Sequence, residues 1–136
     1  MNIICIGPAH PLRGGIASFN TALCKNFIES GHHASIISFS LQYPGFLFPG
    51  KTQYEDGKAP AGIPIRSLIN SLNPFSWMKA VRAIRSTSPD LVVIHHWMPF
   101  IAMSLGFIVR RLKKKPACPV IVIAHNAVSY THLTLP

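Results

Sequence analysis

The chain has 136 residues, of which 49% are hydrophobic and 12% charged, so it is long enough for one domain with a buried core and too apolar to be disordered. It has no apolar run of the roughly 18 residues that span a bilayer, no signal-peptide pattern and no C-x-x-C spacing among its three cysteines; we therefore expect a cytoplasmic protein without a disulfide framework or zinc site. The formal net charge of +9 leaves phosphorylated ligands, an anionic membrane surface and nucleic acid as partner classes.

Strands and helices alternate along the sequence. Short apolar runs predict strands at 2–7, 34–40, 64–69, 90–95 and 120–124. Apolar residues at helical spacing predict helices at 15–30, 74–86 and 99–114, and a segment rich in Gly, Pro and Tyr predicts a long loop at 41–63. The alternation predicts a Rossmann-like α/β domain, a parallel sheet with helices on both faces. The carboxyl ends of its strands share one edge, where ligands bind.

The first strand exit carries paired glycines, Gly14 and Gly15, directly before a predicted helix. Glycines there let main-chain N–H groups approach an anion at the positive end of the helix dipole, and Arg13 adds a charged contact for a phosphate. The segment matches neither the dinucleotide fingerprint nor the Walker loop. The glycines are equally consistent with a tight turn that needs a positive φ.

Histidines follow two other predicted strands. His95, His96 and Trp97 end the fourth strand. Because side chains alternate along a strand, adjacent histidines point to opposite faces and are poor joint ligands for a metal. One is then a core residue and the other an edge residue, unless His96 or Trp97 contacts a ligand. His125 and Asn126 follow the fifth strand, and imidazole and amide groups suit hydrogen bonding to sugar hydroxyls or a leaving phosphate.

A basic cluster ends the third predicted helix: Arg110, Arg111, Lys113, Lys114 and Lys115. Cations at a helix C-terminus complement the helix dipole, which explains the cluster without any partner. The alternative is peripheral contact with an anionic membrane surface. A nucleic-acid partner is not expected, because no aromatic-interleaved basic surface or known binding motif accompanies the cluster.

The last nine residues, 128–136, have the sequence VSYTHLTLP. This string resembles one reading frame of the adaptor used in preparing DNA sequencing libraries. We interpret it as a non-native tail, give His132 no role, and take residues 1–127 as the native domain. An ordinary C-terminal segment is the alternative.

Several segments together resemble a known family. The strand, Gly-Gly loop, helix and Gly-His pair of residues 7–40, the loop at 38–54, HHWMPF at 95–100 and AHN at 124–126 occur in the order found in the N-terminal domain of GT-B glycosyltransferases. The resemblance is to the retaining family-four group and covers residues 1–127. The C-terminal donor-binding domain of that family has no counterpart in the sequence, so we expect this polypeptide alone to be inactive.

The resemblance implies transfer of a sugar, with retention, from a nucleoside-diphosphate donor to a glycan or lipid-linked acceptor in polysaccharide biosynthesis, with no metal or other cofactor. It implies that His125 is the catalytic residue that orients the donor sugar, and that Asn126, His96 and Trp97 contact donor or acceptor. It implies that the donor diphosphate is held by Arg13, Gly14 and Gly15.

Two other classes stay open. A nucleotide-sugar epimerase of the same architecture would place its catalytic carboxylates and histidines differently, and this chain has only four acidic residues. A free-standing Rossmann-like binding module predicts that residues 1–127 fold cooperatively on their own.

Overall fold

The computed structural model describes residues 1–10, 15–41, 62–96, 101–114 and 118–125. The elements within these ranges are β1 (Asn2–Ile6), α1 (Gly15–Glu29), β2 (His33–Leu41), β3 (Ile65–Asn70), α2 (Pro74–Ser86), β4 (Leu91–His96), α3 (Ala102–Leu112) and β5 (Val120–Ala124). Each matches a predicted element to within a few residues. The predicted loop at 41–63, apart from its ends, and the interpreted tail at 128–136 lie outside the described residues.

The five strands form one sheet in the order β3-β2-β1-β4-β5, and every pairing is parallel. The chain moves outward from β1 through β2 to β3, then returns so that β4 pairs with the other side of β1. The connection that leaves β1 runs to β2 on one side, and the connection that leaves β4 runs to β5 on the other side. The carboxyl ends of β1 and β4 therefore mark the topological switch point of the sheet. The predicted Rossmann-like α/β fold is confirmed.

Two hydrophobic clusters cover the two faces of the sheet. Along β1, Ile4 and Ile6 face one side, where they join the buried residues of α2 and α3. Ile3 and Cys5 face the other, where they pack with Cys24 of α1. These four of the five β1 side chains are at most 2% exposed, so alternation along one strand builds both layers. The prediction of helices on both faces is confirmed.

Local signals explain where α2 begins. Asn73 has an extended backbone, and its side-chain oxygen accepts a hydrogen bond from the N–H of Phe75 at 3.0 Å, while Pro74 occupies the first helical position. The indole Nε1 of Trp77 donates to the carbonyl of Asn70 at 2.9 Å, tying the helix to the end of β3. No helix in the described parts of the chain is long and apolar enough to cross a membrane.

β5 is the outermost strand on its side of the described sheet. Its sequence, VIVIA, is wholly apolar. Ile121 is 51% exposed and Val122 54% exposed, although neighbouring side chains of one strand point to opposite faces. The described elements therefore cover neither face of this strand fully.

Candidate active site

The exit from β1 is fixed by hydrogen bonds to β2. The N–H of Gly7 donates to the carbonyl of Ile37 at 3.2 Å, and the N–H of Ala9 donates to Oγ of Ser38 at 2.9 Å. Ala9 and Ser38 are both fully buried. The start of the first loop is thereby held against the carboxyl end of the sheet, beside the switch point.

Gly15 opens α1 at the same edge. It is exposed, and a Cβ added there would meet none of the described atoms within 4 Å apart from its own neighbours in the chain and helix. Its φ is not in the left-handed region, so the tight-turn explanation is not supported at this residue. The first N–H groups of a helix have no partner within it.

An imidazole pair lies where β4 and β5 end. Nδ1 of His95 is 2.9 Å from Nε2 of His125, and the ring planes are inclined by 23° with centroids 5.2 Å apart. His125 continues the parallel ladder, since its N–H donates to the carbonyl of His96 at 2.9 Å. The pair thus sits at the switch edge, next to the exits of β1 and β4.

Aromatic and glycine contacts hold this pair in place. Phe19, one turn into α1, meets both rings edge-on, with centroid distances of 5.7 Å to His95 and 5.4 Å to His125. A Cβ on Gly7 would lie 3.0 Å from Cδ2 of His95 and 3.1 Å from Nδ2 of Asn20. The glycine therefore lets the His95 ring and the amide of Asn20 approach the end of β1.

His95 is fully buried and uncharged near neutral pH. Burial, and secondarily repulsion from His125, lowers the pKa of His95 from 6.5 to about 4. Its Nε2 has no hydrogen-bond partner among the described residues, and the same holds for Oδ1 of Asn20. Two orphaned polar atoms beside one histidine pair mark this as a polar site inside an apolar layer.

Stability should fall as the pH is lowered through the range set by His95. The unfolded chain binds a proton near pH 6.5, whereas folded His95 resists it until about pH 4. Stability is therefore full above pH 6.5 and decreases toward pH 4, by at most about 3 kcal/mol. Urea unfolding of wild type and His95→Asn across this range measures the effect. Equal pH slopes for the two proteins would contradict it.

The close approach at Gly7 gives a second expectation. Gly7→Ala should lower the free energy of unfolding by about 1–3 kcal/mol, because the new methyl group presses on two fully buried side chains that have little room to move. Gly15→Ala is the matched control, since its methyl group enters open space, and should change stability by less than about 0.5 kcal/mol. Denaturant midpoints compare the two; a milder effect at Gly7 than at Gly15 would refute this account.

The structure brings together some of the predicted site residues. His125 lies in the imidazole pair, and Gly15 is one helical turn before Phe19, which touches that pair. His96 lies on the other face, beside a cavity of about 300 Å³ lined also by Leu105 and Gly106 of α3, so its side chain does not join the pair. The other predicted site residues lie outside the described residues: Arg13, Gly14, Trp97 and Asn126.

Sequence analysis missed the contact between His95 and His125. Alternation correctly predicts one core and one edge histidine, and His95 is the core residue. Its contact with His125 follows from the register, in which His95 pairs with Ile123. His125, two residues further on, points to the same face as Ile123. No three side chains of the metal-binding types come together in the described part of the chain.

A parallel sheet with a helix start and an imidazole pair at its switch point defines an α/β domain of the ligand-binding Rossmann-like class. The family description Glycosyltransferase Family 4 matches residues 13–135. The chain belongs to this family, and the resemblance seen in the sequence is confirmed. No curated protein matches the sequence.

Solved glycosyltransferase structures share the fold. An alpha-glucosyltransferase (AGT) in complex with UDP superposes with a TM-score of 0.58 at 17% identity, over 99% of this chain and 31% of its own. An alpha-glucosyltransferase with UDP and a 13-mer DNA containing an HMU base gives 0.51 at 16% identity, over 88% and 30%. A third, with UDP and a mismatched 13-mer DNA, gives 0.53 at 17%, over 90% and 30%. The chain thus spans about a third of the length of these proteins.

Proposed function

We propose that the chain is the N-terminal, acceptor-side domain of a retaining glycosyltransferase that takes a sugar from a nucleoside-diphosphate donor. The observation that carries the proposal is the placement of the α1 start and His125 at one edge of the sheet. Phe19 bridges them, because its ring lies 5.4 Å from that of His125 and its backbone is one turn, about 6 Å, from Gly15. One diphosphate sugar is long enough to contact both.

The chemistry follows from where charge develops. Breaking the bond between sugar and diphosphate leaves negative charge on the diphosphate. Main-chain N–H groups at the start of α1, from Gly14 and Gly15, stabilise that charge together with the helix dipole and Arg13. His125 donates to the sugar and holds it in the reacting position, supported by Asn126. This arrangement needs no metal ion or other cofactor.

The acceptor side is proposed at the neighbouring exits. His96 is the last residue of β4 and Trp97 comes directly after it. The loop at 41–63 starts at the last residue of β2, and the carboxyl ends of both strands lie at the same edge. We propose a glycan or lipid-linked acceptor used in polysaccharide biosynthesis. The DNA in two of the similar structures belongs to those proteins, and the likeness to them extends to the fold alone; nucleic acid is not proposed as a partner here.

The basic end of α3 is proposed as a peripheral contact with the anionic inner face of the membrane, made by a cytoplasmic enzyme. Arg110, Lys113 and Lys114 are exposed, and Arg111 lies over the Phe107 ring at 5.1 Å. Arg85 donates to the carbonyls of Arg111 and Lys114, so the end of α3 already has a cationic cap while the three exposed cations are left for another partner. Lys115 is outside the described residues. Sedimentation with anionic but not neutral vesicles tests this contact.

A transfer assay tests the main proposal. The full-length protein containing this domain is incubated with a panel of nucleoside-diphosphate sugars and with glycan or lipid-linked acceptors, and the anomeric configuration of the product is read by proton NMR. We expect transfer with the donor's configuration retained, unaffected by EDTA. An inverted product would overturn the retaining assignment. Release of an epimerised nucleotide sugar would establish the epimerase instead, and absence of any donor turnover would favour a binding module.

A further inference from the structure

We propose that His95 is a positioning residue that fixes the ring orientation and proton position of His125, so that His125 presents an Nδ1–H donor to the sugar nucleotide. The inference rests on the proposed function for the identity of the ligand. The hydrogen-bond arrangement itself stands on the geometry of the described residues.

The two rings meet edge to edge rather than face to face. Bond lengths place each nitrogen roughly 1.15 Å from its ring centre. The ring centroids are 5.2 Å apart, and Nδ1 of His95 is 2.9 Å from Nε2 of His125. The difference between these two distances equals the sum of the two nitrogen-to-centre distances. Both nitrogens therefore lie on the line of centres. With planes inclined by 23°, the N–H of one ring points along the in-plane lone pair of the other.

The buried Nε2 of His95 decides the direction of this hydrogen bond. A neutral imidazole carries one proton, on either ring nitrogen. If it sat on Nε2, a buried N–H would have no acceptor among the described residues. With the proton on Nδ1, Nε2 carries only a lone pair, so the buried atom without a partner is an acceptor. Buried N–H donors without a partner are rarer in folded proteins than buried acceptors without one. Nδ1 of His95 is therefore the donor, and Nε2 of His125 accepts.

The position of the His125 proton follows. Because Nε2 of His125 accepts a hydrogen bond, a neutral His125 carries its own proton on Nδ1. Nδ1 is thus the ring nitrogen left to face a ligand, and it is a donor. An N–H donor can hydrogen-bond to the oxygen atoms of a sugar or a diphosphate. The opposite tautomer would present a lone pair at this position and could not donate to them.

His95 acts only through His125. It is fully buried, enclosed by Phe19 and by the close approach of Gly7, so no substrate reaches it. That enclosure fixes the His95 ring, and the hydrogen bond passes the restraint to the half-buried His125. The partners of metal-ligating histidines, which likewise act one step removed from the ligand, commonly change affinity or activity 10–100-fold when lost, and we expect an effect of that order here.

Two substitutions separate the hydrogen bond from the packing. His95→Phe keeps a flat ring for Phe19 to contact but removes the nitrogen, whereas His95→Asn places an amide near the position of Nδ1. In the full-length transferase we expect His95→Phe to lower kcat roughly 10–100-fold and His95→Asn to recover most of the loss. Equal activity of wild type and His95→Phe, or equal loss in both variants, would overturn the proposal.

A spectroscopic measurement tests the arrangement in the wild-type chain, so it does not depend on a variant folding or on the reaction assigned. Nitrogen-15 NMR of the imidazoles at neutral pH should show the His95 proton on Nδ1, the His125 proton on Nδ1, and a scalar coupling between the two hydrogen-bonded nitrogens. A protonated Nε2 on either ring would overturn the inference. If this pattern is found but His125→Ala leaves turnover unchanged, the proposed function fails while the hydrogen bond stands.

Discussion

Replacing His125 with alanine in the proposed full-length transferase should lower kcat by roughly 10²–10³-fold. The imidazole lies at the switch edge, beside the start of α1, and in the proposed mechanism it donates to the donor sugar. Its loss removes a fixed donor that strengthens as charge develops, so the effect should fall on kcat more than on KM. Initial rates over a range of donor concentrations measure both.

His125 is only half-buried and lies directly after β5, as the last described residue, so its removal should leave the fold intact. Circular dichroism and the urea midpoint check this. His33→Ala is the matched control. His33 is the first residue of β2, at the opposite edge of the sheet, and its side chain is exposed, so this variant should retain wild-type rates. A rate for His125→Ala within twofold of wild type would remove His125 from the mechanism.

Trp77→Ala should lower the free energy of unfolding by about 3–5 kcal/mol. Trp77 is 6% exposed, packs against Phe107 of α3 at a centroid distance of 5.7 Å, and donates its indole N–H to Asn70 at the end of β3. Truncation leaves a cavity among three elements and removes that hydrogen bond. Since the free energy of unfolding of a single domain is about 5–15 kcal/mol, this one substitution removes a large part of it.

Urea unfolding followed by far-ultraviolet circular dichroism measures the loss at Trp77. Trp77→Phe separates its two components, because it keeps an aromatic ring in the cluster and removes the indole donor. We expect a smaller loss for Trp77→Phe, about 1–2 kcal/mol, reflecting the lost indole hydrogen bond and a smaller ring. The Asn70 carbonyl keeps the N–H of Asn73 and Oγ of Ser76 as donors. If both variants lose the same amount, the hydrogen bond rather than the packing carries the contribution of Trp77.

The sequence predicted the elements well because their signals are local. The runs at 2–7 and 90–95 are apolar and bounded by turn residues, and both are buried strands. Even the weak run at 64–69 forms β3, although this strand lies at the edge of the sheet, where burial leaves little pattern. Alternation also separated His95 from His96, since two residues in sequence cannot share a face of one strand.

The site was predicted less completely because its main contact is not local. His95 and His125 are 30 residues apart, and they meet only because β4 and β5 are neighbours in a register that pairs His95 with Ile123. Strand order and register depend on packing over the whole sheet and have no signature within either strand. The close approach at Gly7 is likewise visible only once Asn20 and His95 have been brought to it.

The apolar outer strand has a consequence for handling the protein. In the described part of the sheet β5 is an outer strand of four β-branched residues and an alanine, half-exposed at Ile121 and Val122, with no lysine or proline within it to block further pairing. Such a segment is a template for cross-β growth between copies of the chain. Concentrated samples should therefore form fibrils that bind thioflavin, and a lysine at position 122 should delay them.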